Sequence, residues 1–281
     1  MQNVVVTGVS SGIGLAITKV LIEGGVRVLG SVRKSQDAER LAKEFGQRFV
    51  PLLFDVTDQA GVQAAAQQVR EQLNGKKLFG LVNNAGIAVP APLMHQPIDD
   101  FRHQMEVNVV SVLMVTQAFL PLLGSDRSLG GKPGRIINMS SVSGKRGAPF
   151  VGGYVASKHA LEGLSEALRR ELILYGIDVI VVGPGAVATP IWDKAEKADA
   201  SLYKDTEYAK PAVEFQKYMV ESGKKGLPPE KVGQVVLHAL TTSKPRVRYA
   251  VVPNALINWF IPMLLPKRFV DSIIARRLGF K

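Results

Sequence analysis

Hydrophobic positions along the chain alternate between two patterns. Short runs that are apolar at nearly every position, rich in β-branched residues, fall at 4–7, 26–31, 49–54, 78–83, 135–140, 179–182 and 248–252. Between them, at 13–23, 38–45, 60–73, 101–123, 154–174 and 229–240, apolar residues recur at helical spacing with polar residues opposite. A strand that is apolar on both faces must be covered on both, and a helix between successive strands makes a parallel connection. The pattern predicts an α/β fold: a doubly wound, seven-stranded parallel sheet with helices on both faces, whose ligands bind at the carboxyl ends of the strands.

Nothing divides the chain. No Pro/Ser-rich spacer, charge block, internal repeat or low-complexity run interrupts its 281 residues, 46% of them hydrophobic. One domain over 1–253 is expected, followed by an apolar and basic extension at 254–281. The absence of cysteine rules out disulfides, thiolate metal sites and a cysteine nucleophile. The four histidines, His95, His103, His159 and His238, show no metal-ligand spacing, and no metal is expected. Glycines from Gly8 onward cut the apolar start short, unlike a signal peptide, so a cytoplasmic location is expected.

The formal charge of +11 raises the question of nucleic acid, and its distribution argues against it. From Ser243 onward eight basic residues stand against Asp271 alone, and the same segment holds the apolar run 256–265. Apolar and basic together suit an anionic membrane surface or a partner better than a duplex groove. Pro253, Pro262 and Pro266 leave the run too short and broken to span a bilayer. Two arrangements stay open: a tail packed over its own domain with a solvated basic face, or a peripheral membrane contact.

The first strand-like run leads into Thr7-Gly-Val-Ser-Ser-Gly-Ile-Gly14. Glycines between a strand and a helix let backbone approach a phosphate, and the helix's first amides point at it. Gly8, Gly12 and Gly14 stand in that context at Gly-x3-Gly-x-Gly spacing, with Ser10, Ser11 and Ile13 between them as further cofactor-binding candidates. The end of the second run selects the dinucleotide. An acid there would accept a ribose 2′-hydroxyl and repel a 2′-phosphate. The chain instead reads Gly30-Ser-Val-Arg-Lys34, with Val32 in the acid's place, and Arg33, with Ser10 or Lys34 contributing, can grip a 2′-phosphate. NADP(H) is expected over NAD(H); the alternative is that Arg33 and Lys34 are solvated loop charges.

Tyr154 and Lys158, at i and i+4, share one helix face, so the ammonium can lie near the phenol and lower its pKa toward the working range of a general acid/base. Ser141, in Asn138-Met-Ser-Ser-Val-Ser-Gly144 at the end of the fifth run, can reach the same cleft.

With these residues the chain resembles the short-chain dehydrogenase/reductase family, in the branch with Thr-Gly-x3-Gly-x-Gly and Tyr-x3-Lys motifs, from Gln2 to Val252. Asp55 in Phe54-Asp-Val-Thr57, Asn83-Asn-Ala-Gly86, Asn108 and Pro184-Gly-Ala-Val-Ala-Thr189 match the family in order. The resemblance implies a Rossmann fold, and hydride transfer between a nicotinamide and a carbonyl or alcohol carbon. It implies that Tyr154 exchanges a proton with the substrate oxygen and that Ser141 stabilises that oxygen. Lys158 would lower the Tyr154 pKa and hold the nicotinamide ribose, and Asn108 would bind a water linking Lys158 to solvent. Asp55 would contact the adenine, Asn84 and Gly86 the adenosine side, and Thr189 with Val187 the nicotinamide carboxamide and phosphates, with Val56, Ala85, Pro184 and Gly185 as further cofactor-binding residues. On physics alone Asn108 is out of place in mid-helix unless it bends the helix or bonds locally. A homodimer or homotetramer is the family's usual assembly.

Residues 190–225 carry Trp192, Tyr203, Tyr208, Phe215, Tyr218 and Met219 among many charges, too irregular for a simple crossover. They suit a mobile aromatic lid over the nicotinamide, or else a subunit interface. Phe150, Met94, Trp259 and Phe260 are candidates for further walls. With its apolar lid and basic-apolar tail the chain resembles the steroid- and retinoid-type members of the family more than the sugar or small-polyol ones, which implies a bulky hydrophobic substrate, steroid-, retinoid- or prenyl-like; net reduction in cells is expected. Two alternatives of other classes remain: a catalytically silent NADP-binding sensor or scaffold on the same fold, and a peripheral-membrane interaction protein.

Overall fold

The computed structural model describes residues 1–197 and 200–280; Ala198 and Asp199 of the expected lid and Lys281 of the extension lie outside them. β1 (Asn3–Val6) leads into α1 (Gly12–Glu23), followed by β2 (Arg27–Val32), α2 (Ser35–Phe45), β3 (Phe49–Leu53) and α3 (Gln59–Leu73). β4 (Gly80–Asn83) is followed by α4 (Ile98–Met105) and α5 (Ser111–Leu120), and β5 (Arg135–Met139) by α6 (Gly152–Glu171). After β6 (Asp178–Pro184) come α7 (Ile191–Glu196), α8 (Ala209–Lys224) and α9 (Pro229–Thr241). β7 (Arg248–Val251) completes the sheet, and α10 (Ile261–Leu264) and α11 (Lys267–Leu278) belong to the extension.

The seven strands are parallel in the order β3-β2-β1-β4-β5-β6-β7, the expected doubly wound sheet. The chain winds outward from β1 on one side and from β4 on the other, which opens a crevice beyond the carboxyl ends of that central pair. Successive residues of β1 show why both faces are covered. Val5 joins Leu29, Leu81 and Ile136 in one layer with Val62 and Val69 of α3 and Val115 and Phe119 of α5. Val4 and Val6 join Val28, Val82 and Ile180 on the other face with Ile17 and Leu21 of α1 and Val232 and Val236 of α9. Each fully buried aliphatic side chain of this kind contributes roughly 2 kcal/mol, so these two layers hold the strand ends rigidly beneath the crevice.

Two departures from the sequence pattern matter for the site. The run expected as one helix at 101–123 begins at Ile98, and its hydrogen-bond ladder widens into π-type turns at Glu106–Val110 and Pro121–Ser125. Pro121 lacks the amide the ladder needs, and Asn108 sits inside the first widened turn. By length and composition Ile98–Ser125 could cross a membrane, but more than half of it is buried in the fold, where Val115 and Phe119 cover the sheet. The second departure is that α8 and α11 are regular helices. Their apolar positions are separated by charges and find their partners far away in sequence: Ala212 and Phe215 of α8 and Leu278 of α11 meet around Phe150 in a third cluster.

Candidate active site

The glycine-rich turn after β1 is held by the loop after β4. Asn84 Nδ2 donates to the Thr7 and Gly8 carbonyls at 2.9 and 3.2 Å, while the Asn84 and Ala85 amides donate to Thr7 Oγ1. Gly8 has φ +71°, and a Cβ at Gly14 would fall 2.1 Å from the Gly8 carbonyl oxygen, so neither position accepts a side chain without moving backbone. Gly12 faces Thr189, whose side chain would lie 3.7 Å from a Cβ there, bringing the segment after β6 across the turn. Ser11 caps α1 without a side-chain hydrogen bond, and the first turn of α1 has no acidic residue to offset the positive end of the helix dipole. A bare helix start beside backbone-only glycines fits the pyrophosphate of a dinucleotide.

At the edge of this crevice β2 ends on buried Val32, and Arg33 reaches out to within 3.6 Å of the Asp55 carboxylate. Burial opposes the Asp55 charge, but hydrogen bonds from the Thr57 amide and hydroxyl and the Arg33 charge outweigh it and hold the carboxyl below its usual value. Lys34 precedes α2, and Arg40 donates to the Ser10 carbonyl at 2.8 Å. Val56 is buried, and Ile13 packs against the layer of core on the α1 face.

On the other side of the crevice the expected chemistry-bearing residues come together. Tyr154, in the first turn of α6, is hydrogen-bonded with the Ser141 side chain, which also accepts from the Ser143 amide at 3.1 Å and lies 3.4 Å from the Pro184 carbonyl. Lys158, buried one turn on, lies 5.7 Å from the Tyr154 ring centroid and donates to the Met139 carbonyl at 2.9 Å. A Cβ on Gly86 would stand 3.6 Å from Lys158 Nζ and 3.1 Å from Asn108 Oδ1, so the loop after β4 needs that glycine to pass close to both. Asn108 accepts from the Ile87 amide and donates to the Ile87 carbonyl and Ser157 Oγ. Its widened helical turn and these bonds resolve its unfavourable position: it braces the loop after β4 against α6. Gly185 donates to the Val251 carbonyl, and the Val187 carbonyl accepts from the Trp192 indole at 2.6 Å.

One expectation fails. Burial pushes the Tyr154 phenol above its ordinary pKa, and the Ser141 hydrogen bond offsets only part of that. The Lys158 ammonium, whose hydrogen bond goes to Met139, does not reverse the balance; its own pKa falls to about 8, because burial outweighs the opposing Glu162 charge.

The family model for short chain dehydrogenases matches residues 2–200. The chain belongs to the short-chain dehydrogenase family. An NADPH-dependent 3-dehydrocapnine reductase of Ornithobacterium rhinotracheale is 40% identical to it over 278 residues, spanning 99% of this chain and 98% of the relative. Human retinol dehydrogenase 5 is 34% identical over 288 residues, 96% of this chain and 87% of its own. Human 17-beta-hydroxysteroid dehydrogenase type 6 is 34% identical over 287 residues, 98% and 88%. The crystal structure of a short-chain dehydrogenase from Streptomyces avermitilis superposes with TM-score 0.75 at 26% identity, covering 98% of this chain and 94% of that one. This short-chain dehydrogenase is thus an oxidoreductase from a family that uses a nicotinamide cofactor.

Behind Tyr154 and Lys158 this short-chain dehydrogenase carries a charged network that the sequence did not single out. Glu162 is one turn beyond Lys158 and nearly fully buried; both its oxygens accept from Arg248 Nε at 3.1 Å, and Lys145 Nζ lies at 3.4 Å. Extending the Tyr154, Lys158 spacing by one more i+4 step would have found Glu162, whereas no local signal marks Arg248. Trp259, expected as a pocket wall, instead lies under Arg248, 4.3 Å from its guanidinium carbon, with Arg146 at 5.9 Å. Met94 and Phe260 face solvent. Of the expected lid, Tyr203, Tyr208, Phe215 and Met219 pack around Phe150, whose φ of +60° is held by ring contacts to Tyr208, Phe215 and Phe280.

Proposed function

We propose that this protein is an NADP(H)-dependent oxidoreductase that interconverts a ketone or aldehyde and its alcohol on a bulky apolar molecule, acting as a reductase in cells. The observation that carries this is the convergence of the Tyr154 phenol, the Ser141 hydroxyl and the Lys158 ammonium at one strand-end edge. A bound nicotinamide supplies hydride to the substrate carbon, or accepts it in the reverse direction. Tyr154 gives its proton to the carbonyl oxygen as that carbon is reduced; a phenol whose pKa burial raises stays protonated and ready as the acid. Ser141 donates to the same oxygen as negative charge develops. Lys158 holds the nicotinamide ribose, and its positive charge favours the phenolate left behind. Asn108 keeps the Lys158 surroundings in register and holds a relay water to solvent.

The cofactor's adenine end is assigned to Asp55 and Val56, its adenosine side to Asn84, Ala85 and Gly86, and its phosphates to Gly8, Ser10, Ser11, Gly12, Ile13 and Gly14. Pro184, Gly185, Val187 and Thr189 take the nicotinamide side. Arg33 and Lys34 beside a strand end without an acid support NADP(H) over NAD(H), as does the NADPH dependence in the name of one relative. The aromatic cluster around Phe150, and relatives named for retinol and a hydroxysteroid, support the apolar substrate class. In this reading 1–253 is the catalytic domain with its lid at 190–225, 254–281 is an extension, and the enzyme works in the cytoplasm as a homodimer or homotetramer. The test is loss of NADPH absorbance over a panel of steroid, retinoid, prenyl and aryl carbonyls with Tyr154→Phe as control.

A further inference from the structure

We propose that the C-terminal extension seats this protein on the headgroup layer of an anionic lipid bilayer, lying on the membrane without crossing it. One side of the extension is committed to the domain. Trp259 is buried beneath Arg248 and Arg146, and Ile274 and Leu278 join Phe150 and Phe215. Those contacts fix what the other side presents. Leu256, Ile257, Phe260, Ile261, Met263 and Leu264 are all exposed by at least 44%, Leu264 by 84%, and Phe269 and Ile273 of α11 are exposed as well. Single exposed apolar residues are ordinary on a protein surface; eight large ones within 18 residues of chain are not.

Charge identifies what covers them. Lys267 and Arg268 open α11 and Arg276 lies in its last turn, all exposed, against one acid, Asp271. Basic residues in a first turn oppose the helix dipole, so Lys267 and Arg268 weaken the helix they begin. Phosphate headgroups compensate that charge, whereas a second copy docked by a two-fold axis would bring the same basic face against itself. Pro262 and Pro266 keep the helical pieces short, which suits insertion at the interface and prevents a span.

The test is co-sedimentation of the full chain with phosphatidylcholine vesicles, with and without phosphatidylglycerol, for the natural protein and the double variants Phe260→Ser/Leu264→Ser and Lys267→Glu/Arg268→Glu. NADPH binding, followed by fluorescence, should be the same in all three, which keeps this result separate from the assignment of the active site. The natural protein is expected to sediment with the phosphatidylglycerol vesicles and each variant to lose at least about tenfold in partitioning. No sedimentation of the natural protein, equal sedimentation with pure phosphatidylcholine, or variants that bind as the natural protein does would each overturn the proposal. So would a light-scattering mass that falls by half in the Phe260→Ser/Leu264→Ser variant, since a second copy would then own the face.

Discussion

Arg248 Nη2 donates to the Ser141 main-chain oxygen at 3.1 Å while its Nε serves the Glu162 carboxylate, so the last strand of the sheet holds the residue proposed to stabilise the substrate oxygen. The same guanidinium lies on Trp259 of the extension. Strand, Ser141, the helix carrying Lys158 and the C-terminal segment therefore share one anchor.

Arg248→Ala leaves the Glu162 carboxylate buried with Lys145 as its remaining ion-pair partner and frees the Ser141 main chain. Breaking one side of a buried pair costs about 3 kcal/mol. The expected outcome is an unfolding free energy lower by that amount, read as a reduced urea midpoint, and a fall in kcat of roughly tenfold, with KM for NADPH little changed and part of the loss restored by Arg248→Lys. Unchanged kcat in a folded Arg248→Ala protein would show that the anchor serves stability alone.

Lys158 carries a pH signature whose sign follows from its burial. With a folded pKa of about 8 against 10.5, the unfolded chain binds more protons between those values, so this residue's destabilising contribution is full below pH 8 and is relieved as pH rises to 10.5. Activity runs the other way, because the proposed role needs the ammonium: kcat/KM for reduction should be flat on the acid side and decline above about pH 8. Glu162 holds the Lys158 value up, so Glu162→Gln should move that limb to lower pH. A limb at the same pH in both proteins would remove Lys158 as its source.

What was legible in the chain was local, and what was not depended on partners distant in sequence. The glycine turn, the Ser141 position and the Tyr154, Lys158 pair are set by spacings of a few residues on elements whose hydrophobic pattern is unambiguous. Glu162 and Arg248 are 86 residues apart, and neither declares the other. The inward faces of α8 and α11 are intelligible only once Phe150 stands between them. The raised Tyr154 pKa is not legible in the spacing, because i+4 places a charge nearby without fixing where its hydrogen bond points, and burial then decides the sign.

Gly14→Ala puts a methyl against the Gly8 carbonyl at a distance no real contact shows, with Asn84 Nδ2 2.5 Å from the same point. The turn has to open. Calorimetric titration is expected to show NADPH affinity down by at least about a hundredfold in a protein that still folds, since the phosphate site depends on backbone geometry. Affinity within a few-fold of the natural protein would mean the pyrophosphate lies elsewhere.

Arg33 is exposed and its pairing with Asp55 is at the surface, so its removal should leave the melting temperature within a degree or two. Arg33→Ala should raise KM for NADPH by roughly 10–100-fold and leave KM for NADH nearly unchanged. Equal changes for both cofactors would contradict the assignment of the 2′-phosphate to this residue.

The most direct measurement is NADPH absorbance at neutral pH with the carbonyl panel, natural protein beside Tyr154→Phe. The account predicts turnover of at least one bulky apolar carbonyl that falls by about 10²–10⁴ in the variant, with NADPH binding retained. Turnover that survives the loss of the Tyr154 hydroxyl, or tight NADPH binding with no turnover of any carbonyl in either direction, would contradict it.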